Sequence, residues 1–145
     1  MLWATCGGLG YLPAPGTVAS IAALIVRLWS VAPGYLLYEL PIVMVVYAFS
    51  FYVSYWAVKQ GPEKDPSYIV IDEFMAQWTV SLLVPLALPY QVAGLIVFRF
   101  FDISKYGFLS DVEQLPTPHA VMLDDLLAAV WAIGITWGIY FSGLL

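Results

Sequence analysis

The sequence has few charged side chains, one cysteine and one histidine among its 145 residues. Charged residues make up 10% of it, against about 25% in average soluble domains, so a water-exposed globular protein is not expected. Its five Lys and Arg residues form no cluster and are outnumbered by ten acids, which sets aside binding to a nucleic-acid backbone. A single cysteine can form neither an internal disulfide nor a cysteine-rich metal site.

Neither Cys6 nor His119 stands in a pattern typical of a catalytic residue. A cysteine phosphatase loop needs an arginine six residues after its cysteine, where this chain has Leu12. Histidine-based lipid phosphatases need two histidines. We therefore interpret Cys6 as a small buried residue and His119 as a helix cap or surface residue. The first basic residue is Arg27, so the N-terminus lacks the positive flank of a secretory signal.

Apolar side chains are abundant, at 62% of the sequence, and they fall into five stretches: residues 17–32, 41–58, 74–88, 90–101 and 126–145. The second and fifth are uncharged and close to the roughly 20 residues that cross a bilayer. Pro85 predicts a kink in the third stretch. Arg27 and Arg99 predict that the first and fourth are tilted, snorkelling at one end or partly inserted. The fold class expected is an all-α integral membrane bundle of four to five helices, forming a single membrane-embedded domain over residues 1–145.

The polar segments indicate the orientation of this bundle. If all five stretches cross the membrane, residues 1–16, 59–67 and 103–119 lie on the same side. That side carries Lys59, Lys64 and Lys105, whereas the opposite loops have no Lys or Arg. By the positive-inside rule, the side with the three lysines is cytoplasmic.

The acids cluster at the predicted helix ends. Asp72 and Glu73 begin the third stretch, Asp102 ends the fourth, and Asp124 and Asp125 begin the fifth. The crossing order brings all five to the cytoplasmic interface. Carboxylates crowded in a medium of low dielectric stay ionised only if they share a cation, and Mg²⁺ prefers oxygen ligands and leaves positions for a phosphate. The pattern predicts a metal site, with helix capping by individual acids as the simpler alternative.

Basic and glycine-rich segments next to these acids suit a phosphate. Arg99 lies three residues before Asp102, and Lys105 three after it, so one helical face can carry all three. The glycines and prolines of residues 7–17 lead into the first apolar stretch, where backbone N–H groups at a helix start can approach an anion. A capped helix after a Pro/Gly turn is the alternative. The candidate substrate-binding residues are Gly16, Thr17, Ser20, Arg99 and Lys105.

Read together, three blocks resemble the phosphatidylglycerophosphatase A family of bacterial enzymes. They are GLGYLPAPGT at residues 8–17, Asp-Pro at 65–66 with IDE at 71–73, and FRFFDISK at 98–105 with VMLDD at 121–125. The resemblance implies Mg²⁺-dependent hydrolysis of the terminal phosphomonoester of phosphatidylglycerophosphate, giving phosphatidylglycerol. It also implies a multi-pass protein of the bacterial inner (cytoplasmic) membrane, taking a phospholipid substrate from the bilayer with its active site facing the cytoplasm.

Residue roles follow from the resemblance, motif by motif. It implies a catalytic role for four aspartates, a metal-binding role for these four and Glu73, and substrate contacts by Thr17 and Lys105. The four aspartates are Asp72, Asp102, Asp124 and Asp125. The chain departs from the family pattern after Lys105 and before Val121, and it has Ala76 and Ala129 where glycine is common. A phosphatase for another lipid phosphate is therefore the nearest alternative.

The mechanism expected is in-line attack on phosphorus with one or two Mg²⁺ ions and a water held by one carboxylate. An aspartyl-phosphate intermediate is the other route, and the sequence does not choose between them. It also leaves the oligomeric state open. The rivals from other classes are a small transporter and a structural membrane subunit that bind a cation or proton at the acids. A transporter predicts a trail of polar residues through the bilayer, and the two longest apolar stretches carry few.

Overall fold

All the regular structure that the computed structural model describes is helical. It covers residues 2–30, 35–60, 67–106 and 120–145. A 3₁₀ helix (Cys6–Tyr11) precedes five α-helices, and this confirms the predicted all-α class. The α-helices are α1 (Pro15–Ser30), α2 (Tyr35–Gln60), α3 (Ile71–Leu83), α4 (Leu88–Ser104) and α5 (Ala120–Ser142).

Helix α5 contains the longest apolar stretch. In the four described ranges, Met122–Ser142 is the one helical stretch that is long and apolar enough to cross a membrane. Pro15–Ser30 and Leu37–Val53 are apolar but shorter. The number of membrane crossings therefore stays a prediction.

The predicted kink at Pro85 is wrong, because the helix ends before it. Helix α3 stops at Leu83, and Val84 is extended with φ −94° and ψ 162°. A proline disfavours helical geometry in the residue before it, which explains the stop. Pro89 then stands in the first turn of α4, where its missing N–H costs nothing. With 13 residues, α3 is about 20 Å long, less than the roughly 30 Å of a hydrocarbon core.

Helix α3 lies at the centre of the structure, in contact with all four other α-helices. One face packs on α2 and the N-terminal segment through Ile71, Met75 and Val43. The other packs on α4 and α5 through Ala76 and a group of small and aromatic side chains. Ala76 and its α5 neighbour Ala129 are fully buried, so both places need a small side chain.

Donors from α4 and α5 bind the carbonyl groups at the end of α3. Gln91 Nε2 donates to the Ser81 carbonyl oxygen at 3.0 Å and to that of Pro85 at 3.2 Å. Trp137 Nε1 donates to the Leu83 carbonyl oxygen at 2.9 Å. Within α3, Gln77 Nε2 donates to Ser81 Oγ at 3.0 Å. The last carbonyls of a helix lack partners of their own, and these side chains supply them.

The first two helices are joined by a buried ion pair. Arg27, in the last turn of α1, is completely buried, and its Nε lies 3.3 Å from Glu39 Oε2 in α2. Of the three behaviours expected for the first stretch, snorkelling of Arg27 is therefore not observed. A carboxylate beside the guanidinium supplies the countercharge that solvent would otherwise provide.

Candidate metal and phosphate site

Three helix ends bring the five acids together. Asp72 and Glu73 lie in the first turn of α3, Asp102 near the end of α4, and Asp124 and Asp125 in the second turn of α5. They form two groups of three, and within each group ligand oxygens lie within 4.8 Å of one another. The groups are Asp72–Glu73–Asp125 and Asp102–Asp124–Asp125. Asp125 belongs to both, so the acids form one continuous centre.

The acidic centre is almost closed to solvent. The four aspartates have exposed fractions between 2% and 7%, and Glu73 is half-buried. Two of the carboxylate oxygens, Glu73 Oε2 and Asp124 Oδ1, are buried and have no hydrogen-bond partner in the described ranges. Burial and mutual repulsion both disfavour ionised carboxylates. A bound hard divalent cation offsets the cost of burial and the repulsion between the carboxylates, so the donor set fits a metal such as Mg²⁺.

Two basic side chains stand at the edge of the centre. Arg99 forms an ion pair through Nη1 with Asp102 Oδ2, while its Nε is buried and unpaired among the described residues. Lys105 Nζ lies 3.4 Å from Asp102 Oδ1 and is also in contact with Asp124 Oδ2. Both cations therefore bind oxygens of the carboxylates and can also meet an anion placed beside them.

The backbone at the end of α4 directs Lys105 toward α5. Lys105 is left-handed, with φ 48° and ψ 41°, and its N–H donates to the Phe101 carbonyl oxygen at 2.9 Å. A left-handed residue of this kind is a common way to end a helix, although it costs a side-chain-bearing residue about 1 kcal/mol. The turn brings Nζ to Asp124, 19 residues away in the chain.

Gly16 places the start of α1 against the acidic centre. It is buried, and a Cβ atom at this position would collide with Glu73 Oε1 and lie 3.0 Å from Arg99 Nη2. Of the other predicted contacts on α1, Ser20 donates its hydroxyl to the Gly16 carbonyl oxygen at 2.8 Å. Thr17 is half-buried and makes no hydrogen bond to an acid among the residues described. Substrate binding by these three residues stays a prediction.

Tyr47 is a site residue that no sequence pattern indicates. This residue of α2 has a buried hydroxyl without a hydrogen-bond partner in the described part of the chain, close enough to Asp72 and Asp125 to interact with their charges. It stands in an apolar stretch for which the sequence predicts only membrane crossing. Tyr47 is thus a polar group beside the acids on the side of α2.

Cys6 also lies near the acidic centre, as an unreactive thiol. Burial, with smaller contributions from the charges of Asp72 and Glu73, raises the pKa of Cys6 to about 12. Its Sγ lies 3.8 Å from the Val70 carbonyl oxygen. A thiol that stays protonated is a poor nucleophile, which agrees with its interpretation as a core residue. His119 and Lys64 lie outside the described residues.

Comparison with known proteins gives a family for this arrangement. Buried acids with two cations, at one end of an apolar helical bundle, suit an enzyme that acts on the phosphate of a lipid. The chain matches the family model described as Phosphatidylglycerophosphatase A over residues 2–140. It therefore belongs to the phosphatidylglycerophosphatase A family, and it is a phosphoric monoester hydrolase of phospholipid metabolism.

Three curated relatives are similar over most of their length. A protein of Bacteroides thetaiotaomicron named putative phosphatidylinositol-3-phosphatase is 32% identical over 86% of this chain and 83% of its own. Proteins of Haemophilus influenzae and Escherichia coli, both named phosphatidylglycerophosphatase A, are each 29% identical. The first aligns over 89% of this chain and 80% of its own, and the second over 94% and 78%. No solved structure is significantly similar to the chain.

Proposed function

We propose that this protein is a Mg²⁺-dependent phosphatase that hydrolyses the terminal phosphomonoester of phosphatidylglycerophosphate to phosphatidylglycerol. The observation that carries the proposal is the pair of three-carboxylate groups sharing Asp125. Buried oxygens of Glu73 and Asp124 that lack hydrogen-bond partners in the described ranges support it. Asp72 Oδ1 does accept the Glu73 N–H at 3.1 Å, as a helix cap can, but capping does not account for the buried oxygens of Glu73 and Asp124.

The residues that would hold the metal are Asp72, Glu73, Asp102, Asp124 and Asp125. Mg²⁺ bound there would neutralise negative charge on the phosphate oxygens and lower the pKa of an attacking water. The shared position of Asp125 accommodates either one ion or two. All five carboxylates come from the ends of helices, so their spacing is set by helix packing.

Basic side chains of the chain itself orient the phosphate. Arg99 Nε is a buried donor without a hydrogen-bond partner among the described residues, and Lys105 Nζ stands between α4 and α5. Together they place the phosphorus next to the carboxylates and stabilise negative charge on its oxygens as it grows during reaction. We assign Gly16 to the wall of this site, because its missing side chain leaves room for Glu73 and Arg99.

One carboxylate then holds the nucleophile in line with the leaving group. In the direct route it accepts a proton from water as the water oxygen bonds to phosphorus and the ester P–O bond breaks. The glycerol oxygen leaves with a proton, and inorganic phosphate is the second product. In the alternative route an aspartate oxygen attacks first, and water then hydrolyses the acyl phosphate.

We place the reaction at the cytoplasmic face of the bacterial inner membrane, with a multi-pass chain. Helix α5 is long enough to cross, and its acids lie at its N-terminal end. Lys59 is exposed at the end of α2, and Lys105 stands at the end of α4. If the helices alternate in direction through the bilayer, both lysines lie on the side of the acids, as the positive-inside rule requires of a cytoplasmic face.

Two observations favour another lipid phosphate as the alternative substrate. One relative is named for phosphatidylinositol-3-phosphatase activity, and this chain departs from the family pattern just after Lys105. The experiment measures phosphate release by the purified protein from phosphatidylglycerophosphate, phosphatidylinositol 3-phosphate and phosphatidic acid, each with Mg²⁺ and with chelator.

We expect the highest kcat/KM on phosphatidylglycerophosphate, with release abolished by chelator and by Asp124→Asn. Preference for another of the three lipids would replace the substrate and keep the metal chemistry. Equal rates with Mg²⁺ and chelator, or a parental rate in Asp124→Asn, would reject the metal chemistry itself.

A further inference from the structure

An apolar cavity of about 470 Å³ lies between the N-terminal segment and helices α1, α2 and α3. This volume is within the range of about 300–1,000 Å³ that is typical of small-ligand sites. Its wall is made almost entirely of carbon-rich side chains. They include Trp3, Ala22, Val26, Val46, Phe74 and Trp78.

The cavity begins beside the acidic centre. Ile71, which precedes Asp72 in the chain, is part of its wall. Cys6 also lines it, and the Cys6 thiol interacts with the charges of Asp72 and Glu73. None of the five acids lines the cavity, but a molecule in it would contact Ile71 and Cys6, which lie next to Asp72 and Glu73.

The same wall leads away from the acids. Along α3 the lining continues from Ile71 through Phe74 to Trp78, seven residues, or about 10 Å at the rise of an α-helix. On α1 it includes Ala22 and Val26, in the middle of that helix. The cavity is thus apolar along its length and one end of it lies next to the acids, as the acyl chain of a phospholipid lies next to its phosphate-bearing head group.

We propose that this cavity holds one acyl chain of the lipid whose phosphate is hydrolysed at the acidic centre. The inference rests on the proposed function and adds a binding site for the hydrocarbon part of the substrate. Moving a chain from bilayer to cavity exchanges one apolar environment for another, so burial alone gives little affinity. The cavity contributes by positioning the substrate. An acyl chain held along α3 would hold the phosphate of the same lipid near the start of that helix.

Two neighbouring valines of α2 allow a matched test. Val46 lines the cavity, whereas Val45 does not and is 70% exposed. Val46→Trp fills part of the cavity, and Val45→Trp places the same bulk on the outer face of the same helix. Ala22→Phe narrows the cavity from the side of α1 and serves as a second variant if Val46→Trp does not fold.

The measurement is kcat/KM on phosphatidylglycerophosphate with two palmitoyl chains and with two hexanoyl chains, at equal mole fraction in the same detergent. The long-to-short ratio is expected to fall at least tenfold in Val46→Trp and Ala22→Phe, and to stay within twofold of the parent in Val45→Trp. An unchanged ratio in both cavity variants overturns the proposal, as does an equal shift in Val45→Trp.

A substrate analogue with a photoreactive group near the end of one long chain gives a readout independent of turnover. We expect it to label peptides of α3 between Phe74 and Trp78 in the parent, with less labelling in Val46→Trp. Labelling confined to exposed faces such as that of Val45 would overturn the cavity assignment. A parent that hydrolyses lipid phosphate without any dependence on chain length would overturn it too, while leaving the proposed function intact. A parent that hydrolyses neither substrate would reject both.

Discussion

In the part of the chain that the structure describes, charged side chains are buried in two regions that balance charge differently. Near one end of α1, the Arg27 guanidinium faces the Glu39 carboxylate, one charge of each sign. At the acidic centre five carboxylates face the two cations Arg99 and Lys105, an excess of three negative charges when all are ionised. Both regions are largely shielded from solvent, so exposure alone does not distinguish them.

The difference separates a structural charge site from a functional one. A balanced pair needs no further ion once the chain has folded, because its two opposite charges compensate each other. An unbalanced set is incomplete in low dielectric until a cation joins it. The acidic centre should therefore respond to divalent ions, and the Arg27–Glu39 pair should not.

The largest effect is expected from Asp125→Asn. Asp125 is common to both groups of acids, so this change leaves neither group with three carboxylates. Changing even a residue that only supports a metal ligand costs about 10–100-fold in affinity or activity. We expect kcat for lipid phosphate hydrolysis at saturating Mg²⁺ to fall by at least about 100-fold, measured as phosphate release in micelles.

The same variant should be more stable than the parent in chelator, because one of the crowded charges is gone. Denaturant unfolding followed by tryptophan fluorescence measures this. If Asp125→Asn keeps the parental activity, or is less stable than the parent in chelator, the acidic centre does not differ from the Arg27–Glu39 pair in the way described.

Glu39→Gln is expected to lower the stability of the protein and to leave its catalytic activity unchanged. It leaves the Arg27 guanidinium buried beside a neutral amide, which for a buried pair costs about 3–5 kcal/mol. The Glu39 side chain is 16% exposed, so we expect the lower end, about 3 kcal/mol in the free energy of unfolding. Activity per folded molecule and its Mg²⁺ dependence are measured in parallel. A weakened response to Mg²⁺ would show that the two regions are not independent.

Mg²⁺ itself should stabilise the folded parent. At a concentration 100 times its Kd, a ligand that binds only the folded state adds about 2.7 kcal/mol. We expect this increase in the parent and in Glu39→Gln, and its absence in Asp125→Asn. The unfolding free energy is measured across a Mg²⁺ titration without lipid. If the unfolding free energy of the parent does not change with Mg²⁺ concentration, the prediction of a metal site at the acids is wrong.

The smallest effect tests the packing around the centre. Gly16→Ala places a Cβ against Glu73 Oε1 and Arg99 Nη2, whereas a Cβ on Gly138 of α5 meets nothing within 4 Å. We expect about a tenfold loss of kcat/KM in Gly16→Ala, equivalent to about 1.4 kcal/mol, and parental values in Gly138→Ala. If the two variants behave alike, the close approach of α1 to the acids has no role in the reaction.

Much of this architecture could be predicted because its determinants are local. Apolar stretches and their flanking charges give the approximate positions of all five α-helices. The alternating direction of those helices brings Asp72, Asp102 and Asp124 to one end. Helix ends and charge positions are properties of short segments, so a sequence carries them directly.

The remaining features depend on contacts between distant segments. Tyr47 looks like any aromatic residue of an apolar stretch until α2 packs beside the acids. Gln77 and Gln91 are polar groups inside apolar stretches, and their Nε2 atoms donate hydrogen bonds within α3 and from α4 to α3 that only the folded structure reveals. The cavity depends on how four segments meet. None of these has a pattern in the sequence.

The shortness of α3 shows how one helix can depend on another for its length. In hydrocarbon, a helix that stops early exposes carbonyl groups that no water can reach. Gln91 and Trp137 bind those carbonyls from α4 and α5, so the end at Leu83 is stabilised by residues that follow it in the chain. A chain that lacks α5 therefore loses the Trp137 donor, and the Leu83 carbonyl oxygen at the end of α3 then needs another partner.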